Sequence, residues 1–136
     1  MTLSHEKAIL LNPLQLAFIG DAVYALRIRL KALASGQNMR ALHRITTSFV
    51  SAPAQARAVD AITETLTERE MELVRRGRNA HARHPAPRSA TSAEYAAATG
   101  FETLIGYLYL TGQSDRIDAL IAQIAKLQLP QEKSHA

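Results

Sequence analysis

The segment from Leu14 to Leu30, LQLAFIGDAVYALRIRL, most constrains the fold, because it reads as one long apolar helix with a single acid at its centre. At 3.6 residues per turn, the face that holds Asp21 also holds Leu14, Ala17, Phe18, Tyr24, Ala25 and Ile28. A carboxylate in such a stripe is costly unless a cation or a set of donors pairs with it. A second stretch of this kind lies far along the chain, with Glu102 inside AAATGFETLIGYLYL. Its helical neighbours are Tyr95, Ala98, Thr99, Ile105, Gly106 and Tyr109, none of them charged. The expectation is that two buried acids, Asp21 and Glu102, face each other and share a metal ion.

At 136 residues, 47% of them apolar, the chain is expected to form one domain over residues 1–136 around a single core. Alanine and leucine abound and no strand-like alternation persists, so the fold class expected is all-α, with six or seven helices. No apolar run reaches the ~18 residues of a membrane span, and MTLSHEKAILLNP lacks the pattern of a signal peptide. With no cysteine, disulfides and thiolate metal sites are excluded, and a cytoplasmic setting is expected. The net charge of +4 is concentrated: RRGRNAHARHPAPR, Arg75 to Arg88, holds five arginines, two histidines and no acid, leaving the rest near neutral.

Taken in order, a short helix is expected after Ser4, and Asn12-Pro13 starts the central helix, which runs to about Ser35 with Gly36 as its stop. Gly20 within it costs ~1 kcal/mol relative to alanine, which suits a close approach by another helix or a ligand. Asn38 caps the next helix, with Met39, Leu42, Ile45 and Phe49 inward. Pro53 restarts the chain, placing Ala56, Val59 and Leu66 roughly on one stripe. Thr67 and Glu70 form a capping box for a helix ending near Gly77. Residues 79–91, with two prolines, read as an exposed loop. Thr91 and Glu94 open the helix of Glu102, which ends at Thr111-Gly112; Ser114 caps a last amphipathic helix, and a polar tail occupies residues 130–136.

Two carboxylates among small residues suit Mg²⁺, which takes oxygen ligands and keeps several waters. Beside an arginine-rich loop, such a site points to phosphate chemistry. A structural reading is also open, in which Asp21 and Glu102 are satisfied by backbone amides or by Arg27 or Arg29. Arg75 and Arg76 would complement a helix C-terminus, whereas Arg78, Arg83 and Arg88 extend past it toward a phosphate-binding surface. His81 and His84 have a spacing that occasionally binds zinc, without a third ligand in view. His43 is expected to be a buried hydrogen-bonding residue, and Tyr95, Tyr107 and Tyr109 to be core.

LAFIGDAV (Leu16 to Val23) resembles the signature helix of the ribonuclease III nuclease domain, and FETLIGYLYL (Phe101 to Leu110) its second acidic helix. VSAPAQARAV, RRGRNA and ATGFETLIGYLYL resemble patterns of the Mini-ribonuclease III branch, which consists of the nuclease domain alone. The ordered set covers most of the chain. The resemblance implies an all-α, homodimeric endonuclease that cuts double-stranded RNA with Mg²⁺ (Mn²⁺ substituting), a metal-activated water attacking the phosphodiester. Asp21 and Glu102 fall on the family's catalytic, metal-holding acids, and Phe18 on the residue that packs into a socket of the partner subunit.

Full-length members carry four site acids, and Ala17 and Thr99 stand where two of them would be. That implies a sparser metal shell, with Thr99 contacting it through water. Six residues follow Pro130, so grip on the substrate is expected from the nuclease domain itself. The RNA-binding set is then Arg75, Arg76, Arg78, Asn79, His81, Arg83 and Arg88. A-form RNA hides its base edges, so shape, 2′-hydroxyls and phosphates carry recognition. The implied substrate is precursor 23S ribosomal RNA, with a large-subunit ribosomal protein as a further partner and no membrane. The rival readings are a non-catalytic double-stranded-RNA-binding or ribosome-assembly module and a purely helical interaction protein. Retention of both acids weighs against a binding-only role.

Overall fold

In a computed structural model, residues 1–81 and 91–128 are described, and they are helical with no strand among them. Within these residues seven helices follow in order: α1 (His5–Ala8), α2 (Pro13–Leu33), α3 (Met39–Val50), α4 (Ala52–Ile62), α5 (Glu68–His81), α6 (Ser92–Leu110) and α7 (Ser114–Gln128), with one 3₁₀ turn, Thr63–Thr65, after α4. The architecture is the all-α one expected.

Helix α6 is the axis around which the others pack. It buries twelve residues from Ala97 to Leu110, among them Phe101, Leu104, Ile105, Tyr107 and Leu108, and it lies most extensively against α2, then α5, then α4. A helix apolar on nearly all sides belongs in a core. Its start is set by a capping box: the Thr91 hydroxyl accepts from Glu94 N at 3.0 Å, and the Glu94 carboxylate accepts from Thr91 N at 3.0 Å. Its end is a Schellman turn, with Gly112 at φ +74°, Gln113 N donating to Leu108 O at 2.8 Å and Gly112 N to Tyr109 O at 3.1 Å.

Helix α2 begins on an equally complete cap. The Asn12 side chain accepts from Leu14 N at 2.8 Å, the Gln15 side chain accepts from Asn12 N at 3.0 Å, and Pro13 occupies the first turn. Close contact between α2 and α6 rests on the absence of side chains. A Cβ on Gly20 would collide with the carbonyl oxygen of Glu102, and one on Gly106 with that of Leu16. The close approach anticipated at Gly20 is therefore made by a helix.

On the opposite flank Glu70 joins α5 to α7. It closes the Thr67 capping box and, though buried, receives Arg116 Nε at 2.9 Å and Nη2 at 2.8 Å. Burial pushes its carboxyl up, but the Arg116 and Thr67 hydrogen bonds outweigh that, leaving it below its ordinary value. Arg27 on α2 pairs with Asp118 on α7.

Several expected boundaries and faces are corrected. Helix α5 does not end near Gly77 but continues to His81. Gly77 is an interior contact, where a Cβ would collide with the Thr103 hydroxyl, so it packs α5 on α6 instead of stopping it. Asn79 is thus helical, as are Ala80 and His81, and residues 82–90 of the loop expected over 79–91 lie outside the described residues, together with the tail at 130–136. Helix α2 stops at Leu33, two residues short of the expected end, and Gly36 follows at φ +72°. On α3 only Ala41 and Phe49 are buried; Leu42 and Ile45 are half-buried and Met39 is exposed, because α3 touches only α2 and α4 extensively. On α4 the buried stripe is Ala54, Gln55, Ala58, Val59 and Ile62, with Ala56 and Leu66 at its margin. Ser114 is the first residue of α7, and the Gln113 carbonyl before it accepts from Arg116 N and Ile117 N.

Candidate active site

The two lone acids do meet. Asp21 follows Gly20 on α2, and Glu102 supplies the carbonyl against which Gly20 packs, so the closest contact of the two helices brings their carboxyl groups side by side. The burial expected of both is only half right: Glu102 is half-buried, but Asp21 is exposed. The physical reason is position on the α2 cylinder. Tyr24 and Ile28 point into the core, whereas Phe18 and Asp21 sit at the outer margin of the α2–α6 contact.

Burial, and then the hydrogen bond and charge of Asp21, push the Glu102 carboxyl up to about 8, against a smaller downward pull from a hydrogen bond donated by Gln55. Two carboxyl groups at hydrogen-bond distance resist double ionisation unless positive charge stands between them. Of the arginines considered as structural partners, Arg27 is committed to Asp118, and neither it nor Arg29 is among the groups acting on Glu102.

Gln55, on α4, is the neighbour that sequence reasoning did not single out. It is 2% exposed, and its Nε2 donates to Val50 O at 3.0 Å and to Glu102 Oε2 at 3.4 Å. Thr99 lies one turn before Glu102 on α6; it is buried, and its hydroxyl donates to Tyr95 O at 3.0 Å. Among the described residues no group of three or more His, Asp or Glu gathers anywhere. A cation here would have two carboxylates and little else from the protein, which fits Mg²⁺, an ion that retains much of its hydration shell.

The basic set is divided by the structure. Arg75 pairs with Glu72 on the same helix. Arg76 is half-buried, and its Nη2 donates to Ile9 O at 3.2 Å and Leu11 O at 3.4 Å, tying α5 to the chain after α1. Arg78 and Asn79 are exposed on the last turns of α5, so Arg78 does not lie past the helix as expected. His81 ends that helix, while Arg83, His84 and Arg88 lie outside the described residues. His43 is exposed, not buried. Tyr107 is buried with its hydroxyl 2.7 Å from His5 Nδ1, Tyr95 is half-buried, and Tyr109 is 44% exposed. Phe18, at 79% exposed, borders an apolar groove formed by Leu3, Leu11, Leu14, Ile19 and Leu110.

An all-helical fold with an acid from each of its two central helices is the frame of a ribonuclease III-type nuclease, and the family model of the Ribonuclease III domain matches residues 14–113. Over 116 residues the chain is 47% identical to the Mini-ribonuclease 3 of Symbiobacterium thermophilum, covering 85% of this chain and 88% of that protein. It is 45% identical over 120 residues to the Mini-ribonuclease 3 of Thermoanaerobacter sp., covering 88% and 84%. An X-ray structure of a Fusobacterium nucleatum protein superposes with a TM-score of 0.77 at 33% identity, over 85% of this chain and 93% of that one. The chain belongs to the ribonuclease III family, in its Mini-ribonuclease III branch, and is an endoribonuclease of double-stranded RNA. Among the described residues no helix is long and apolar enough to cross a membrane.

The carboxylate pair has a consequence for stability that can be signed. Folded Glu102 keeps its proton to about pH 8, whereas the unfolded carboxyl releases it near its ordinary value of 4.5. Between these limits the folded state binds the extra proton, so stability of the metal-free protein falls as pH rises. Urea unfolding in EDTA is expected to show a loss on the order of 2–4 kcal/mol from pH 5 to pH 8.5 that Glu102→Gln abolishes. Parallel profiles for the two proteins would refute it.

Proposed function

We propose that Asp21 and Glu102 are the catalytic acids and together hold a divalent cation, Mg²⁺ with Mn²⁺ able to replace it. The observation that carries this reading is their juxtaposition: two acids far apart in the sequence lie side by side where a cation would satisfy both. When bound, the cation supplies Lewis-acid activation of water and stabilises negative charge at the phosphate under attack. The chain's own residues do the rest. Asp21, being exposed, faces the incoming backbone, while Glu102 is held from inside by the α2–α6 contact. Thr99, one turn before Glu102 on α6, would contact the ion through water.

The RNA surface is assigned to the end of α5 and the segment after it: Arg75, Arg78, Asn79, His81, Arg83 and Arg88 meet phosphates and 2′-hydroxyls. Arg76 belongs to the set by position, but part of its guanidinium is already engaged with Ile9 and Leu11. The substrate class is a paired stem of precursor 23S ribosomal RNA, cleaved in the cytoplasm, with a large-subunit ribosomal protein able to shape it. Two copies act together, each offering one acid pair to one strand. In support, Phe18 stands exposed by an apolar groove, and Leu26 and Leu30 extend that apolar face along α2. The whole chain, residues 1–136, serves as the nuclease domain, with residues 130–136 as its tail.

For Asp21→Asn and Glu102→Gln, cleavage of a labelled duplex in Mg²⁺ is expected to fall by more than the ~10²-fold that follows removal of a group supporting a metal ligand. The circular dichroism spectrum is retained; near-normal turnover in either variant removes the assignment. Neutralising Arg78, Arg83 and Arg88 together lowers the slope of log affinity against log salt by about one for each phosphate no longer neutralised. An unaltered slope places the RNA elsewhere. Phe18→Asp is expected to convert a dimer to a monomer in sedimentation equilibrium, and equal masses for variant and wild type argue against the paired arrangement.

A further inference from the structure

Gln55 is the one polar side chain in the buried stripe of α4. It lies among Ala54, Ala58, Val59 and Ile62; its Nε2 satisfies the Val50 carbonyl at the end of α3, but the other half of the amide serves no contact within the fold. Its two hydrogen-bond partners, Val50 O and Glu102 Oε2, are both acceptors, which fixes the amide with nitrogen toward them. Its carbonyl oxygen, Oε1, is left buried with no partner. An unpaired buried acceptor is costly, and native structures tolerate few of them without a functional reason.

The geometry points to Gln55 as a positioning residue of the metal site, Nε2 orienting the Glu102 carboxylate and Oε1 accepting a hydrogen bond from the hydration shell of the cation. This rests on the reading of Asp21 and Glu102 as the metal-holding pair. Nε2 is 3.4 Å from Glu102 Oε2, and Oε1, bonded to the same carbon, is no more than one amide width further, so a single water can bridge the orphan acceptor and that carboxylate. At 3.4 Å the bond to Glu102 is long, so it steers the carboxylate and does not clamp it. The bond to Val50 O, at 3.0 Å, is what anchors the amide to the end of α3. With two carboxylates as its only acidic ligands, the ion keeps most of its waters, and those waters need acceptors around them. Among the described residues the Gln55 oxygen is the one unpaired buried acceptor beside this site; the other unpartnered buried polar atom, the Tyr24 hydroxyl, belongs to a ring packed on Phe101 in the core.

The test uses the full chain without RNA and Mn²⁺ alone as the probe. Gln55→Met keeps length and volume while removing donor and acceptor. Isothermal titration is expected to show Mn²⁺ affinity reduced ~10–100-fold in a variant that retains the wild-type circular dichroism spectrum. With duplex RNA, the Mg²⁺ concentration for half-maximal rate rises in step, while KM for RNA at saturating Mg²⁺ is unchanged. Wild-type Mn²⁺ affinity in a folded Gln55→Met protein overturns the inference. Should that variant not fold, the wild-type protein answers alone: the Gln55 side-chain amide resonances shift on Mg²⁺ addition, and resonances that stay still refute the role. Asp21→Asn separates the two levels. If it loses the ion while Gln55→Met keeps it, the Gln55 role alone falls; if Asp21→Asn binds Mn²⁺ normally, the carboxylate site fails and this inference with it.

Discussion

The contact on which the rest of this structure depends is the bare-backbone crossing of α2 and α6. Where Gly20 meets the Glu102 carbonyl and Gly106 meets that of Leu16, the helices approach more closely than any Cβ would allow. Ridges of ordinary side chains hold packed helices about 8–10 Å apart, and glycine pairs let them come nearer. Two acids attached beside such a crossing have little freedom to avoid each other. The helices bring two acids together using binding surface that is almost wholly apolar, so the cost of crowding Asp21 and Glu102 is offset by the burial of Leu16, Phe101, Leu104 and Ile105 around them.

The same principle recurs on the other side of α6, where Gly77 lies against Thr103 and Gly100 against the Val74 carbonyl. Helix α6 is thus sandwiched at short range by α2 and α5 and is left little room to shift. Rigidity of this kind suits the role proposed for Glu102, whose carboxyl would have to be held to a fraction of an ångström. The periphery is built differently, with the Glu70–Arg116 clamp and the Arg27–Asp118 pair fastening α7 through charge.

Much of this is legible in the residues. Lone acids in two apolar helices stand out because their expense demands a reason, and the reason lies in their meeting. The cap at Asn12 and the capping boxes at Thr67 and Thr91 mark three helix starts correctly, since a cap is a local interaction. What sequence does not show is tertiary. Gly77 resembles a stop when neighbours in space are unknown, yet it is a contact between helices. The exposure of Asp21 and the shallow burial of α3 depend on which partner lies across each face, and helical periodicity is blind to that. Gln55 gives no signal, because an amide in an alanine-rich helix carries neither charge nor rhythm; the nearest hint is that it alone is polar on the inner face of α4.

Ser51 closes α3 and opens α4 by itself, with Ser51 N donating to Thr47 O and its hydroxyl accepting from Ala54 N. Each extra residue in a helical spacer swings everything downstream by about 100°. The joint therefore acts as a fixed indexing mark: an insertion or deletion between Val50 and Gln55 would turn the amide away from the acid pair while leaving both helices intact. Tolerance of length changes at that half-buried corner should be far lower than at an ordinary link between helices.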